Sequence, residues 1–433
     1  MKVLITTDLF KPSVIGVVTS VLNLKRGLEA KGHEVRILTL SPNHHSFIKD
    51  NVYYIGSIDT GRIYPGTRFR LHCPKYIKKM LIDWQPDIVH SQCELSTFSI
   101  AAQIAKACNV PLIHTYHTVY EDYTHYFCPV KPLGRRLVQG FTKHILDRTD
   151  AVIAPSTKVS GLLARYNVNS PVSVIPTGID LSAFADRPAS ADEPVFTGRP
   201  ASADKSAFTG RPAPAAEPSL TGRPAFTCRQ VFADNTVSAP SPAGNPLKLI
   251  FVGRLAKEKN IAELLHMVAF CRDLPIELII VGDGPERNEL IRLSKELDIE
   301  NMVTFAGMVP PEKVSACYHL GDVFVNASNS ETQGLTYIEA MASGLAMLCR
   351  KDACLDGIVT EGVNGWQYEN PEQFKTHIIE MLEDADLRTR LGRGALAASR
   401  RFSIEYFAGS VEHLYLSARR MIPLNTPIVT SST

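Results

Sequence analysis

Two glutamates eight positions apart carry the clearest chemistry in this sequence. Glu331 and Glu339 flank Gly334 in the stretch N-S-E-T-Q-G-L-T-Y-I-E-A-M-A-S-G, which follows the apolar run Val323–Asn326. A glycine loop that opens a helix presents backbone amides and the positive end of the helix dipole, which suit a diphosphate. Carboxylates there repel phosphate and are better suited to accept hydrogen bonds from sugar hydroxyls. The pattern predicts a sugar-diphosphate site, although two such glutamates could simply be favourable dipole charges.

A basic loop lies upstream of these glutamates. The stretch F-V-G-R-L-A-K-E-K-N, residues 251–260, follows one apolar run and precedes a helix-like segment. Gly253 lets the backbone approach a ligand, and Arg254 and Lys259 project cations to where a pyrophosphate could lie. A solvated basic loop would look similar, so the loop supports a phosphate site only together with the glutamates.

Two further glycines follow another predicted strand, in the stretch V-G-D-G-P-E. Gly282 and Gly284 permit tight turning or close approach to a ligand. An equally good interpretation is structural, with Asp283 capping a helix that has Pro285 at its first position.

These motifs require a scaffold of alternating strands and helices, and the sequence repeats that alternation on both sides of its middle. Such alternation with apolar strands predicts two Rossmann-like, doubly wound parallel sheets with a cleft at the carboxyl ends of their strands. Strands are predicted at Val3–Thr7, Glu34–Leu40, Ile88–His90, Leu112–Thr115, Val152–Pro155, Val172–Ile175, Lys248–Val252, Leu278–Val281, Val303–Ala306, Val323–Asn326 and Ala346–Cys349. Helices are predicted at Val18–Lys31, Thr97–Cys108, Ile261–Arg272, Pro285–Leu297 and Pro311–Leu320.

The middle of the chain has a different composition. Arg-Pro recurs every 12 residues at Arg187, Arg199, Arg211 and Arg223, within a segment of Pro, Ala, Ser, Thr and Gly. Dense proline breaks helices and strands, which predicts a disordered tandem-repeat insertion over residues 185–246. The predicted domains are then residues 1–180, residues 247–400, and a segment 401–433 that crosses back to the first domain.

Length and charge agree with this division. A chain of 433 residues exceeds one core, and its net charge of +2 argues against a dedicated nucleic-acid partner. Residues 1–184 hold 21 Lys and Arg against 13 Asp and Glu, whereas residues 247–433 hold 19 against 25. No apolar window is long enough to span a membrane, and the nine cysteines show no C-x-x-C spacing. We therefore expect a cytosolic or peripheral protein with reduced thiols.

The motifs G-R-L-x-x-x-K-N, G-D-G-P and E-T-Q-G-L-T-Y-I-E-A-M-A-S-G resemble the retaining nucleotide-sugar glycosyltransferases of the GT-B fold. The resemblance covers essentially the whole chain outside the insertion. It implies that Glu331 contacts the donor sugar, that Glu339 contacts the ribose, and that Arg254 and Lys259 neutralise the diphosphate. The remaining donor-binding residues that it implies are Gly16, Gly253, Gly282, Gly284, Gln333, Gly334, Leu335 and Thr336.

Motifs in the first half of the chain are similar to those of a narrower group within this family. H-T-Y-H-T-V-Y-E-D-Y, residues 114–123, is similar to a stretch of bacterial diacylglycerol glucosyltransferases, as are V-H-S-Q-C-E and S-E-T-Q-G-L-T-Y. The resemblance implies that His117 faces the donor sugar, whereas His114 is interpreted as structural. It also implies transfer of a hexose, with glucose as the expected sugar, from a UDP-sugar to diacylglycerol with retention. The implied step is a front-face displacement in which the leaving phosphate accepts the acceptor proton.

A basic and aromatic segment, residues 62–84, predicts contact with an anionic membrane surface on the inner face of the cell membrane. A solvated helix face with core aromatics is the competing interpretation. The residues assigned to the membrane are Arg62, Arg68, Phe69, Arg70, Lys75, Tyr76, Lys78, Lys79 and Trp84.

No obligatory metal or other cofactor is expected, because the protein supplies the cations. Asp384 and Asp386 match a D-x-D metal motif, but they lie in a charged helical stretch and are interpreted as coincidence. Two other functions stay open: transfer to a soluble sugar or a lipopolysaccharide intermediate, and nucleotide-sugar binding without transfer. The sequence does not indicate an oligomeric state.

Overall fold

The computed structural model describes residues 1–11, 15–59, 68–70, 72–121, 130–185 and 246–421. Residues 186–245 of the predicted repeat insertion, Arg62 and the residues after Met421 lie outside these ranges. Within them two large sheets form, which confirms the prediction of two doubly wound parallel domains.

The first sheet contains eight strands in the order β10-β9-β8-β7-β1-β2-β4-β3. Its neighbours pair in parallel except β3 and β4, which are antiparallel at the edge. Two further short strands, β5 and β6, pair with each other. The strands are β1 (Lys2–Thr7), β2 (Glu34–Leu40), β3 (Phe47–Lys49), β4 (Val52–Ile55), β5 (Ile58–Asp59), β6 (Arg68–Phe69), β7 (Ile88–Ser91), β8 (Leu112–Thr115), β9 (Ala151–Ala154) and β10 (Val172–Val174).

Helices cover both faces of this sheet because successive strand residues point to opposite sides. Leu4 joins the core under α2 to α5, whereas Val3 and Ile5 join the core under α1 and the last helix. The helices are α1 (Gly16–Ala30), α2 (Lys75–Asp83), α3 (Ser96–Cys108), α4 (Lys131–Leu146), α5 (Thr157–Arg165) and α6 (Ser182–Ala185).

The second sheet has six parallel strands in the order β13-β12-β11-β14-β15-β16. Its strands are β11 (Leu247–Val252), β12 (Ile276–Val281), β13 (Val303–Gly307), β14 (Val323–Asn326), β15 (Ala346–Arg350) and β16 (Gly365–Tyr368). Its helices are α7 (Ile261–Phe270), α8 (Arg287–Glu296), α9 (Val314–Tyr318), α10 (Leu335–Ala342), α11 (Pro371–Glu383) and α12 (Ala385–Ser399). Short 3₁₀ turns occur at Lys257–Lys259, Pro311–Lys313, Ala353–Leu355 and Arg400–Phe402.

The last helix, α13 (Ile404–Met421), belongs to the first domain by its packing. Phe407, Val411 and Tyr415 are buried in the core that α1 covers. The Tyr415 hydroxyl also lies 2.7 Å from Nδ1 of His90, at the centre of the first sheet. The chain therefore ends its second domain and returns to the first.

Hydrogen bonds join the two domains beside the cleft. The Thr177 amide donates to Oε1 of Gln333 (2.7 Å), and Nε2 of Gln333 donates to the Thr177 carbonyl (2.9 Å). Nζ of Lys158 donates to the Asn329 carbonyl (3.0 Å) and pairs with Asp352. These contacts hold the loop before α10 against the first domain.

Candidate active site

The carboxyl ends of β11, β12 and β14 supply the loops of the second domain that face the cleft. After β11 the chain turns through Gly253 and the 3₁₀ turn into α7. Arg254 is exposed and forms no ion pair with any described residue. The basic loop thus presents one unpaired guanidinium at a strand end, which suits an anionic ligand.

The glycines after β12 pack directly against that basic loop. A Cβ atom on Gly282, whose φ is +136°, would lie 1.8 Å from the Gly253 carbonyl oxygen. A Cβ atom on Gly284 would lie 2.3 Å from the Leu255 carbonyl oxygen. These distances show that the close packing of the two loops requires both glycines, and their contact with a donor stays a prediction.

The predicted helix cap at Asp283 is wrong. Helix α8 begins at Arg287, with Glu286 at the capping position, so Pro285 lies before the helix. Oδ1 of Asp283 instead accepts a hydrogen bond from the amide of Gly284 (2.7 Å). The tight packing of this loop on the basic loop delays the start of the helix.

Glu331 and Lys259 form the central ion pair of the site. Glu331 is only 9% exposed, and its Oε1 accepts a hydrogen bond from Nζ of Lys259. The two loops are tied together because the hydroxyls of Ser328 (3.1 Å) and Ser330 (3.3 Å) donate to the carbonyl of Glu258. The predicted sugar ligand and one predicted phosphate ligand therefore form an ion pair with each other.

Helix α10 begins beside this ion pair. Gly334 occupies its capping position with φ +73°, and a Cβ atom there would lie 2.4 Å from the Tyr337 ring. Leu335 and Thr336 follow in the first turn, so their amides lie at the helix start, where an anion is favoured. Across the cleft, a Cβ atom built on Gly16 would lie 4.0 Å from the Leu335 side chain. Both predicted glycines therefore lie where the domains meet.

The side chains of Gln333 and Glu339 are already engaged. The Gln333 amide is buried and bonded to the backbone of Thr177, so only the backbone of this residue is available to a donor. The Tyr318 hydroxyl donates to Oε2 of Glu339 (2.6 Å), and burial raises the pKa of this carboxyl group. The hydroxyl of Tyr318 fixes the orientation of Glu339 one turn into α10.

His117 faces this group from the first domain. A cavity of about 130 Å³ is lined by His117, Thr118, Val119, Glu258, Lys259, Ser330, Glu331 and Thr332. Nε2 of His117 lies 2.8 Å from Oε1 of Gln92. Burial lowers the pKa of His117 to about 4, so its imidazole is neutral near pH 7. The structure therefore brings His117, Lys259 and Glu331 to one cavity, and their roles in binding a donor stay predictions.

A larger groove of about 910 Å³ lies elsewhere between the domains. Ile175, Phe402, Tyr406 and His413 contribute to its lining. Gln333 also lines it, but the side-chain amide of Gln333 is bonded to Thr177. We assign the chemistry to the smaller cavity, because it contains the cation, the carboxylate and the imidazole together.

Buried polar residues outside the predicted site, among them Gln92 and Glu94, lie near His117. Glu94 is 4% exposed, accepts a hydrogen bond from the Tyr120 hydroxyl, and lies 3.2 Å from Nε2 of His114. His114 is fully buried, which agrees with its structural interpretation. Gln92 and Glu94 follow β7 directly, and this position at a strand end is the signal that could have identified them.

Burial makes ionisation of the carboxyl group of Asp8, which follows β1, unfavourable. Its Oδ1 accepts a hydrogen bond from the Thr97 amide (2.8 Å), but burial raises the pKa of its carboxyl group to about 6, with a smaller contribution from Glu94. The folded protein therefore holds this proton more tightly than the unfolded chain, in which the pKa of Asp is about 3.9. The free energy of unfolding should fall as pH rises from about 4 to about 6 and then level off.

We expect Asp8→Asn to raise the free energy of unfolding at pH 8 by about 3 kcal/mol, because an amide cannot ionise but can still accept the Thr97 hydrogen bond. The gain should vanish near pH 4, where the wild-type carboxyl group is protonated. Urea denaturation at both pH values measures it. Asp150→Asn is the matched control, since Asp150 is exposed and also accepts a backbone hydrogen bond, from Leu112 (2.7 Å). An equal gain from Asp8→Asn at both pH values would contradict the prediction.

The residues assigned to a membrane surface divide into two groups. Lys75, Tyr76 and Lys79 are exposed on α2, and Phe69 is exposed just before it. The exposed Lys79 forms an ion pair with Asp83 (2.7 Å). Three less exposed residues also have partners: Arg68 donates hydrogen bonds to Ser57 and pairs with Asp59, Arg70 donates to the His72 carbonyl, and Lys78 donates to Gln103. Their contact with a membrane stays a prediction.

The prediction that Trp84 contacts a membrane is wrong. Its indole is 8% exposed and packs in the core of the first domain. Its Nε1 donates to Oε1 of Glu34 (2.8 Å), and the Arg36 guanidinium lies 4.4 Å from its ring. An aromatic residue beside lysines can therefore complete a core instead of meeting lipid.

The described residues contain neither a metal cluster nor a spanning helix. No group of three or more His, Cys, Asp and Glu side chains there could hold an ion. Oδ1 of Asp384 accepts the Leu387 amide (2.7 Å) at the start of α12, which accounts for the D-x-D match as a helix cap. No helix in the same part of the chain has the length and apolarity needed to cross a bilayer.

Comparisons with known proteins identify the family of this chain. Residues 14–183 match the model of Glycosyltransferase Family 4, and residues 234–397 match that of Glycosyl transferases group 1. The chain is 31% identical to an alpha-monoglucosyldiacylglycerol synthase of Acholeplasma laidlawii, over 96% of this chain and 97% of the relative. It is 30% identical to the protein of that name in Streptococcus pneumoniae, over 88% and 78%. The fold is similar to that of Anabaena HepE, solved with UDP and glucose, with a TM-score of 0.66, 17% identity, and coverage of 96% of this chain and 100% of that one.

Proposed function

Because this chain belongs to the hexosyltransferases of the GT-B fold, with a family 4 domain followed by a group 1 domain, we propose that it transfers glucose from UDP-glucose to diacylglycerol with retention of configuration. The observation that carries the proposal is the cavity in which His117 of the first domain faces Lys259 and Glu331 of the second. The similarity to two alpha-monoglucosyldiacylglycerol synthases supports glucose as the sugar and diacylglycerol as the acceptor. The motif resemblance supports UDP as the carrier.

The proposed reaction begins with an exchange of partners in the cavity. The diphosphate of the donor attracts Lys259 and Arg254, so Lys259 leaves the carboxylate of Glu331. The freed oxygens of Glu331 then accept hydrogen bonds from hydroxyls of the donor sugar. The amides at the start of α10 add donors for the diphosphate.

The chemical step that we propose is a front-face displacement. The acceptor hydroxyl oxygen forms a bond to the anomeric carbon on the face from which UDP departs. The bond from that carbon to the phosphate oxygen breaks, and the departing phosphate oxygen takes the hydroxyl proton. Arg254 and Lys259 stabilise the charge that develops on this phosphate. Neutral His117 can hydrogen-bond the sugar without adding a charge that would oppose a cationic transition state.

The test is a transfer assay with purified protein and mixed vesicles. UDP-glucose, UDP-galactose and GDP-mannose are each offered with diacylglycerol or with soluble sugar acceptors, and products are identified by mass and anomeric coupling. We expect an α-glucosyl lipid from UDP-glucose. Transfer only to a soluble acceptor, or an inverted anomer, would refute the proposal.

We also propose that the enzyme works peripherally on the inner face of the cell membrane. We further propose that it requires no metal. Arg254 and Lys259 already supply two cations at the predicted phosphate site. Excess EDTA should therefore change kcat/KM by less than about twofold. If a metal stabilised the leaving phosphate, its removal would cost one electrostatic contact and lower kcat/KM at least about a hundredfold. The steady-state rate with and without EDTA measures this. Strong inhibition that Mg²⁺ reverses would contradict the expectation.

A further inference from the structure

Two backbone carbonyls bracket Glu331, and both accept hydrogen bonds from the first domain. Nζ of Lys158 donates to the carbonyl of Asn329, two residues before Glu331 (3.0 Å). The hydroxyl of Ser156 donates to the carbonyl of Thr332, directly after Glu331. We call residues 328–333 the Glu331 loop. Its backbone is held on each side of the carboxylate by the domain that lies across the cleft.

Lys158 occupies a position that weakens its own helix. Helix α5 begins at Thr157, and Lys158 is the second residue of its first turn. The positive end of the helix dipole disfavours a cation there, and that turn contains no acidic residue to offset it. The stability of α5 therefore does not explain a lysine at this place. The partners of Lys158 in the second domain do explain it.

These partners engage every donor of the ammonium group. Besides the Asn329 carbonyl, Nζ of Lys158 donates to Oδ1 (2.9 Å) and Oδ2 (2.8 Å) of Asp352. An ammonium group has three N–H bonds, so three acceptors satisfy it. The position of Asp352 is fixed in turn, because its side chain is 10% exposed and its Oδ1 also accepts the Cys354 amide (2.8 Å). Lys158 is thus tied to an ordered part of the second domain.

Ser156 reaches the second domain from the position that caps α5. Its Oγ accepts a hydrogen bond from the Val159 amide (3.4 Å), while its hydroxyl proton is donated to the Thr332 carbonyl. Ser156 is buried, so protein partners and not solvent direct this proton. The start of α5 therefore supplies two donors to the Glu331 loop, one on each side of Glu331.

We propose that Lys158 and Ser156 are positioning residues for Glu331, and that this carboxylate is in place only while the two domains are in contact. The inference rests on the proposed function, in which Glu331 binds hydroxyls of the donor sugar. Separation of the domains would break both hydrogen bonds and release the backbone on each side of Glu331. The first domain thus acts on the donor half of the site through α5, in addition to lining the cavity with His117.

Lys158→Met tests the inference, because methionine keeps an apolar stem but removes the charge and the donors. We expect kcat/KM for transfer from UDP-glucose to fall at least about tenfold, while the Kd of UDP, which has no sugar, stays within about threefold of wild type. A general loss of stability would weaken the binding of both compounds alike. Equal losses for UDP and UDP-glucose, or a kcat/KM within about twofold of wild type, would overturn the proposal.

Lys143→Met is the matched control. Lys143 also pairs with a carboxylate, that of Asp147 (2.7 Å), and donates to a backbone carbonyl, that of Asn167. Both of these partners belong to the first domain, so this substitution removes the same kind of contacts without touching the Glu331 loop. Its kcat/KM should stay within about twofold of wild type.

Two further variants keep the test decisive if Lys158→Met does not fold. Asp352→Asn can still accept the Cys354 amide but pairs less strongly with Lys158, so kcat/KM should fall at least about threefold. In a Glu331→Ala background, Asp352→Asn should change kcat/KM by less than about twofold, because no carboxylate is left to position. The same loss with and without Glu331 would overturn the proposal.

Hydrogen exchange separates this inference from the proposed function, because it requires no donor. Amides of the Glu331 loop should exchange at least about tenfold faster in Lys158→Met than in wild type or Lys143→Met. Unchanged exchange in this loop would overturn the inference. Faster exchange in a protein that does not transfer glucose to diacylglycerol would support the inference and refute only the proposed function.

Discussion

Glu331→Gln should lower kcat/KM for sugar transfer by about 10³ while leaving the fold intact. The carboxylate is nearly buried beside Lys259 and faces the cavity that His117 lines. Glutamine keeps the shape but loses the charge that strengthens hydrogen bonds to sugar hydroxyls, each worth about 1.5–3 kcal/mol. Loss of two such bonds, about 4 kcal/mol, corresponds to the expected factor. Steady-state kinetics with UDP-glucose and diacylglycerol measures it.

Glu369→Gln is the control for that substitution. Glu369 pairs with Lys351 in the same domain, but both side chains are largely exposed and away from the cavity. The same chemical change there should alter kcat/KM by less than twofold, because an exposed ion pair contributes little. If Glu331→Gln retained more than a tenth of the wild-type kcat/KM, the role of Glu331 as a sugar ligand would be refuted.

Gly282→Ala should destabilise the second domain by more than about 4 kcal/mol, a loss reserved for severe backbone conflicts. The new methyl carbon would begin 1.8 Å from the Gly253 carbonyl oxygen, and the φ of +136° disfavours any residue with a Cβ atom. The loops after β11 and β12 would have to separate. Thermal unfolding should show a midpoint lowered by about 10 °C or more.

Gly357→Ala separates the steric conflict from backbone strain. Gly357 also has a left-handed φ, +74°, but a Cβ atom there meets no atom within 4 Å. Its substitution should cost about 1 kcal/mol, from the φ alone. Equal losses for Gly282→Ala and Gly357→Ala would show that the contact with Gly253 is unimportant.

Much of the fold was predictable because its signals are local. Strands Glu34–Leu40, Leu112–Thr115 and Val323–Asn326 have the predicted bounds, since buried parallel strands read as short apolar runs. The start of α8 was predicted two residues early because Gly284-Pro285 resembles a helix entry. Only the packing of that loop on Leu255 shows that the chain is still in a turn there.

The sequence could not show whether a given side chain faces the core or the solvent. Trp84 and Tyr76 both lie among lysines in the sequence, yet Trp84 is buried and Tyr76 is 54% exposed. Helix α4 was not among the predicted helices; its apolar residues form two adjacent stripes, and sequence cannot say which one the core covers. Burial on one flank and exposure on the other distinguish the two.

Short motifs establish which chemical groups this protein offers: the glycine loops at strand ends, the cations Arg254 and Lys259, and the glutamates Glu331 and Glu339. These are local patterns, set by strand, turn and helix geometry over a few residues. Which of these groups meet depends on how the two domains pack. Lys259 and Glu331 are 72 positions apart, and His117 comes from another domain. Their shared cavity exists because two cores pack across Gln333 and Thr177, and such long-range contacts are not encoded in any short motif.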